Sequence, residues 1–370
     1  MTLNSIAVTG ANGFIGRNLC VRLRELKIEV VPISRESSEA EWRDAISRVD
    51  AVIHVAGANR PEDPSDFYTI NVGSTERLVA MMKDSGRAIP IVYASTSKAA
   101  EATGYGNSKR LAEEALLELT ESTGGVVYIF RLPNVFGKWA RPNYNSAVAT
   151  FCHSIARNLP ITVDDPDSPL TLAYIDNVVT EIITTLSERP AGGYREVYPL
   201  YQTTVGQVVA MIQGFQTDRA DNLIANVGVG ITRAMYATYV SALPTDQFSY
   251  PITSHTDSRG CFSEMLKTRE AGQFSYFTAH PGVTRGGHYH HTKTEKFLVV
   301  HGNARFRFRD ILTDATHEIF TSGEHPVVVE TIPGWSHDIS NVGDDALVAL
   351  LWANELFDRE KPDTIAEKVY

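Results

Sequence analysis

The sequence predicts two folds in one chain: a doubly wound α/β domain around a parallel sheet, then an all-β barrel or sandwich. Three observations point there. From Ile6 to about Leu186, short apolar runs alternate with longer stretches of helical spacing, the rhythm of βα units around a sheet buried on both faces. Beyond about residue 250, short β-rich runs are separated by Gly, Asp and Asn turns, as in an antiparallel barrel or sandwich. Histidine divides the same way: nine of the eleven lie after residue 250 (His255, His280, His288, His290, His291, His301, His317, His325 and His337).

In chain order, the expected strands of the first part are 6–9, 30–34, 51–56, 91–95 and 126–131. Residues 203–243 read as largely helical, and the Pro, Asp and Ser of 243–251 read as a linker. The strands expected beyond it include 297–300, 304–309, 326–330 and 346–352. This places the domains at 1–245 and 246–370. No internal repeat stands out.

The 370 residues leave room for two domains of ~150 residues or slightly more. With 43% apolar and 21% charged residues, a disordered or fibrous chain is excluded. The formal charge of −10 makes a surface that repels nucleic acid and anionic membrane, while a local basic pocket for a phosphate stays open. Cys20, Cys152 and Cys261 are odd in number and far apart, which argues against a disulfide framework. No apolar run approaches the ~20 residues of a membrane span, and no signal-peptide pattern opens the sequence. A cytoplasmic protein is expected.

The first strand runs into Gly10-Ala11-Asn12-Gly13-Phe14-Ile15-Gly16-Arg17, which opens a helix. Glycines let a backbone turn sharply and approach a pyrophosphate, whose charge then sits at the helix N-terminus. A bare glycine triplet also serves as a tight turn, but strand, loop and helix here stand in the order that dinucleotide binding needs. Where an acidic residue would grip the ribose of NAD, the second strand ends in Ser34-Arg35, with Arg17 near the first loop. Guanidinium groups there suit the 2′-phosphate of NADP(H).

Tyr105 and Lys109 are spaced by four at the start of a helical stretch, so they share one helix face. A nearby ammonium is expected to lower the phenol pKa and make Tyr105 a proton donor to an alkoxide. The preceding strand ends in Ser95-Thr96-Ser97, where a hydroxyl could hydrogen-bond a substrate carbonyl.

Residues 4–200 resemble the extended short-chain dehydrogenase/reductases that act on nucleotide sugars. The resemblance rests on the 10–16 loop, Val52-Ile53-His54-Val55-Ala56-Gly57, Asn71-Val72-Gly73-Ser74-Thr75, Tyr105-Gly106-Asn107-Ser108-Lys109 and Arg131-Leu132-Pro133-Asn134-Val135-Phe136-Gly137. It implies that Gly10, Gly13 and Gly16 contact the pyrophosphate and that Tyr105 and Lys109 are catalytic, with Ser95 or Thr96 in the serine role. It also places the loop residues Asn12, Phe14 and Ile15 with Ala56 at the cofactor, and Asn134 and Arg131 near the sugar nucleotide. Two departures are the short separation of Ser95 from Tyr105 and the short stretch between residues 34 and 50.

In the second part, His288-x-His290 on a strand faces one side, and Glu295 follows closely enough to complete a facial set of donors. His337 supplies a fourth ligand. Imidazole and carboxylate suit Zn, Fe, Ni or Mn. A bulge could exchange His290 with His291. The spacing resembles the two cupin motifs, Gly282 to Gly302 and Gly334 to Asn341, although Pro333 directly precedes Gly334. Residues 257–264 resemble the opening of cupin-type sugar epimerases. Such enzymes remove a proton α to a sugar ketone, with His291 or Lys296 as the candidate base here.

Across nearly the full length, the order of reductase then cupin resembles bifunctional enzymes of capsular-polysaccharide and O-antigen biosynthesis. Residues 136–158 and 290–302 carry the resemblance most clearly. It implies epimerisation of C3 of a UDP-2-acetamido-2,6-dideoxy-4-ketohexose in a barrel holding a divalent metal, zinc being expected. Reduction of C4 with NADPH would follow, giving UDP-2-acetamido-2,6-dideoxy-β-L-talose. A homodimer is expected by analogy with other cupins. Three alternatives stay open: a 4-epimerase or dehydratase with tightly bound cofactor, a non-catalytic binding or dimerisation barrel, and a redox-sensing regulator.

Overall fold

Strand Ser5–Thr9 (β1) is buried along its whole length, as a central strand covered on both faces must be. It is joined by Glu29–Ile33 (β2), Ala51–His54 (β3), Ile91–Thr96 (β4), Val127–Leu132 (β5) and the short strand Gly193–Arg195. Their spatial order is β2-β1-β3-β4-β5 and then 193–195, all parallel. Order reverses between β1 and β3, the switch point where open α/β sheets bind ligands at the carboxyl ends of their strands. The short stretch after β2 has its counterpart here: among the described residues β2 is the sheet edge, and no strand takes the outermost place of a 3-2-1-4-5-6 arrangement.

One face of the sheet packs Ala7, Ile33 and Tyr93 against Trp42 and Ile46 of Glu39–Arg48 (α2), Leu78 and Met82 of Gly73–Ser85 (α3), and Leu116 and Leu119 of Gly104–Thr123 (α4). Phe14–Glu25 (α1) packs with the helix Ile175–Glu188. The expected α/β fold is borne out.

The computed structural model describes residues 3–144, 146–252, 254–257, 260–263, 266–268, 272–355 and 360–370. Ser258, Arg259 and Glu264 of the epimerase-like opening lie outside the described residues. The chain forms two compact units, 1–146 with 169–203, and 147–168 with 204–370. The helical segments Ala147–Ala156, Val205–Ala220 and Gly230–Ser241 therefore fall in the second unit.

The rest of that unit is the expected all-β part. One five-stranded antiparallel sheet has the order 249–251, 327–330, 295–301, 347–353, 273–279; the other runs 316–322, 303–310, 335–341, 284–289, 365–366. Phe297, Leu298, Val328 and Leu347 of the first sheet and Phe306, Phe308 and Ile339 of the second are buried. Among the described residues, no helix is long and apolar enough to cross a membrane.

Candidate functional site

The glycine loop is shaped by close backbone approaches. Gly10 has φ +66, and a Cβ there would stand 2.8 Å from the Ala56 backbone. At Gly16, a Cβ would stand 2.2 Å from the Gly10 carbonyl, so only glycine lets α1 press on the loop. Gly13 opens α1 with no side-chain cap, leaving the first-turn N–H groups for a ligand. Arg17 and Arg35 are exposed, and neither has an ion pair among the described residues. Asn12 is exposed, Phe14 and Ile15 are half-buried, and Ser34 follows β2. Ala56 follows β3, which brings these residues together at one edge of the parallel sheet.

A buried chain of hydrogen bonds ties this edge together. Thr75 donates its hydroxyl to the Asn71 carbonyl (2.8 Å), so it accepts from His54 Nε2–H (2.9 Å). His54 Nδ1 then accepts the Thr9 hydroxyl (2.6 Å), and Thr9 Oγ1 accepts the Ala56 N–H (3.2 Å). Burial, and after it the Lys109 charge, pushes the His54 pKa down to about 3, so the ring is neutral at ordinary pH. Asn71 extends the chain: Oδ1 accepts from Ala58 N–H (2.7 Å), and Nδ2 donates to the Ala58 carbonyl (3.1 Å) and to Ser108 Oγ (2.9 Å). Ser108 in turn donates to the Tyr105 carbonyl at 2.8 Å.

Tyr105 and Lys109 lie on α4. Lys109 donates to the Ala94 carbonyl (2.7 Å) and lies 4.2 Å above the Tyr93 ring. Burial pushes its pKa down to about 7, with the Glu113 charge opposing. The expected lowering of the Tyr105 pKa by Lys109 is not found. Burial raises the phenol, and the Thr96 hydroxyl opposes that rise; Lys109, with its own pKa pushed down to about 7, loses its proton before the phenol does. Ser95 and Thr96, adjacent on β4, part company. Thr96 serves Tyr105, whereas Ser95 donates to buried Glu113. Glu113 also takes a forked ion pair from Arg131 (2.6 and 3.0 Å) and the Tyr194 hydroxyl (3.1 Å). Arg131 is thus held at a carboxylate, while Asn134 is exposed.

In the second unit, the donor atoms of His288, His290, Glu295 and His337 lie within 4.8 Å of one another. His288 and His337 face each other on paired strands, and Glu295 opens a strand of the other sheet. Gly287 is the extra residue of a bulge between Gly286 and His288, where φ is +103 at Gly286 and +77 at Gly287. That bulge aims His288 at His337. No bulge exchanges His290 with His291, whose ring packs 5.6 Å from Tyr289 outside the cluster.

This donor set fits a divalent cation. His290 Nδ1–H donates to the Asp363 carbonyl (2.5 Å), which leaves Nε2 facing Glu295 Oε2, 3.1 Å away. His337 Nε2 is buried, and the nearest acceptor is Glu295 Oε2 at 3.5 Å, too long for a good hydrogen bond. Burial opposes charge on Glu295, yet the His290 and His337 rings and the Lys293 ammonium at 2.7 Å hold its carboxyl well below the usual range. Burial, then the neighbouring His337 and His290, pushes His288 down to about 3, leaving it neutral.

Lys296 does not join this set. As the strand neighbour of Glu295 it takes the other face, where it pairs with buried Glu330 and donates to the Tyr250 hydroxyl (3.1 Å). Sequence reasoning missed Glu113, the His54–Thr75 chain and Asp363. Nothing local marks Glu113 or Asp363, since their partners lie far away in sequence. His54, Asn71 and Thr75 stood inside quoted motifs without a role.

The family model described as "NAD dependent epimerase/dehydratase family" matches residues 6–199, and "Polysaccharide biosynthesis C-terminal domain" matches 255–365. Over 363 residues, 98% of both chains, the sequence is 54% identical to UDP-2-acetamido-2,6-beta-L-arabino-hexul-4-ose reductase of Pseudomonas aeruginosa. The capsular polysaccharide assembling protein CapF of Staphylococcus aureus is 36% identical, with a TM-score of 0.66 over 99% of this chain and 100% of that one. RMD of Pseudomonas aeruginosa, solved with NADPH, shares the fold of the front part: TM-score 0.51, 20% identity, 58% of this chain and 82% of that chain. The chain belongs to the NAD dependent epimerase/dehydratase family and carries a polysaccharide biosynthesis C-terminal domain.

Proposed function

We propose that the chain acts twice on one UDP-linked sugar. The barrel (246–370) epimerises C3 of a UDP-2-acetamido-2,6-dideoxy-4-ketohexose, and the front domain (1–245) reduces its C4 ketone with NADPH to the β-L-talo product. The observation that carries this reading is the full-length 54% identity to a reductase named for a UDP-linked 4-ulose. Two separate reactive sets in this chain support it. The order follows from the substrate: the C4 ketone acidifies the C3 proton, and reduction removes that acidity.

His288, His290, Glu295 and His337 would hold a divalent ion, zinc in our assignment, whose Lewis acidity polarises a ketone. His291 is the retained candidate for the base that removes the C3 proton, and Lys296 is not, because Glu330 engages it. Gly10, Gly13 and Gly16 would seat the NADP(H) pyrophosphate and Arg17 and Arg35 its 2′-phosphate, with reduced nicotinamide supplying hydride. Tyr105 gives its phenolic proton to the C4 oxygen, Thr96 hydrogen-bonds that oxygen, and Lys109, one helix turn on and bonded to the Ala94 carbonyl, is assigned to the same catalytic set. Asn134 is assigned to the nucleotide sugar, Arg131 is assigned there only through the face its Glu113 pair leaves open, and the protein is assigned as a cytoplasmic homodimer.

The test supplies candidate UDP-4-ketosugars with NADPH in deuterated water and reads the product by mass and NMR. One NADPH should be consumed per alcohol, with deuterium at C3. Turnover that consumes no NADPH would instead assign a 4-epimerase or dehydratase.

A further inference from the structure

The loop between His290 and Glu295 is held by a residue far along the chain. Asp363 Oδ1 accepts the backbone N–H of His291 at 2.9 Å. Its Oδ2 accepts the backbone N–H groups of Thr292 (2.6 Å) and Lys293 (2.7 Å) and the Thr292 hydroxyl (2.9 Å). The backbone carbonyl of the same residue takes Nδ1–H of His290. Just beyond, Ile365–Ala366 pairs with Tyr289 and His288, and Arg309 donates to the carbonyls of Lys368 (2.8 Å) and Val369 (3.0 Å). Asp363 thus begins a strap that lies along the His288 strand.

We propose that Asp363 is a positioning residue of the metal centre: its carboxylate folds the 291–293 loop so that His290 and Glu295 converge, and its carbonyl fixes His290 with Nε2 toward the ion. This rests on the metal reading above. The chemistry is specific to a carboxylate. Four donors converge on an acceptor-only group, and an asparagine would set its own N–H₂ against N–H. A carbonyl on the far ring nitrogen is the usual device for holding a ligating imidazole in one tautomer.

The test uses the full chain as wild type, Asp363→Asn and Asp363→Ala. Zn²⁺ affinity is read by competition with a chromophoric chelator, ligand geometry by the absorption spectrum of Co²⁺, and the loop by amide hydrogen exchange at 291–295. Variants with unchanged circular dichroism should bind Zn²⁺ about 10- to 100-fold more weakly. They should also show a changed Co²⁺ spectrum and faster exchange at 291–293. Wild-type affinity and spectrum in both variants would overturn the positioning role and leave the metal centre standing. A wild-type chain that binds neither ion would overturn the metal reading, and this proposal with it. Should both variants misfold, Thr292→Val removes one of the four donors, and its Zn²⁺ affinity should fall by a smaller factor; no change there overturns the proposal.

Discussion

The two candidate sites handle buried polar groups in opposite ways. At the edge of the parallel sheet, buried groups answer one another: Ala56, Thr9, His54, Thr75 and Asn71 form a closed chain, and Glu113 satisfies Ser95, Arg131 and Tyr194. In the barrel, three imidazoles and a carboxylate crowd around one point, and the nearest partner of His337 Nε2 is Glu295 Oε2 at 3.5 Å. The groups named in the first arrangement pair with one another, whereas the second gathers the donor atoms that a cation would use. Damage at the first site should therefore show in stability and proton transfer, and damage at the second in ion dependence.

The largest effect should come from Tyr105→Phe. Loss of a positioned proton donor should slow NADPH oxidation by about 10²–10⁴-fold. Deuterium exchange at C3 should persist, and its disappearance in this variant would erase the separation of the sites. Next comes His290→Ala, or chelation of the wild type. At ion concentrations of about 100 times Kd, bound metal should add about 2.7 kcal/mol to wild-type stability. The variant should lack that increment and exchange C3 poorly, as thermal melts with and without Zn²⁺ and proton NMR would reveal. Full-speed exchange by metal-free protein would confine the ion to a structural role.

Glu113→Gln should cost about 1–3 kcal/mol in urea unfolding, below the usual cost of halving a buried ion pair because Arg131 is partly exposed. An unchanged midpoint would mean that the cluster contributes nothing to the fold. The smallest effect is a slope with pH. His54 titrates near 3 in the fold against about 6.5 unfolded, so between those values the unfolded chain binds the extra proton. Its contribution is constant above pH 6.5 and turns destabilising as pH falls, by at most about 1.4 kcal/mol per unit. His54→Gln should flatten the stability profile from pH 7 to 5 relative to wild type. Parallel profiles would show that His54 is not the neutral link in the chain.

What could be read from sequence was whatever local spacing encodes. The 10–16 glycines and the four-residue step from Tyr105 to Lys109 each place side chains through the geometry of one element, whereas His290 lies just past the strand Thr284–Tyr289 that carries His288. The choice between Ser95 and Thr96 was not legible, because it depends on where β4 lies against α4. The bulge falls not at His290 and His291 but at Gly286 and Gly287, where two successive glycines permit positive φ. Lys296 yields to strand alternation once Glu295 is a ligand. Glu113 and Asp363 act through partners drawn from distant segments, so only the folded chain discloses them.

Glu330 is 2% exposed, and it meets Lys296 from its own sheet and Arg219 from the helix Val205–Ala220. Severing the polypeptide at residue 246 would keep the acid and discard one of its two cations, along with the guanidinium that covers the Tyr250 ring. A fragment cut at 246 should therefore unfold more readily than the intact second unit, which also takes in 147–168 and 204–245.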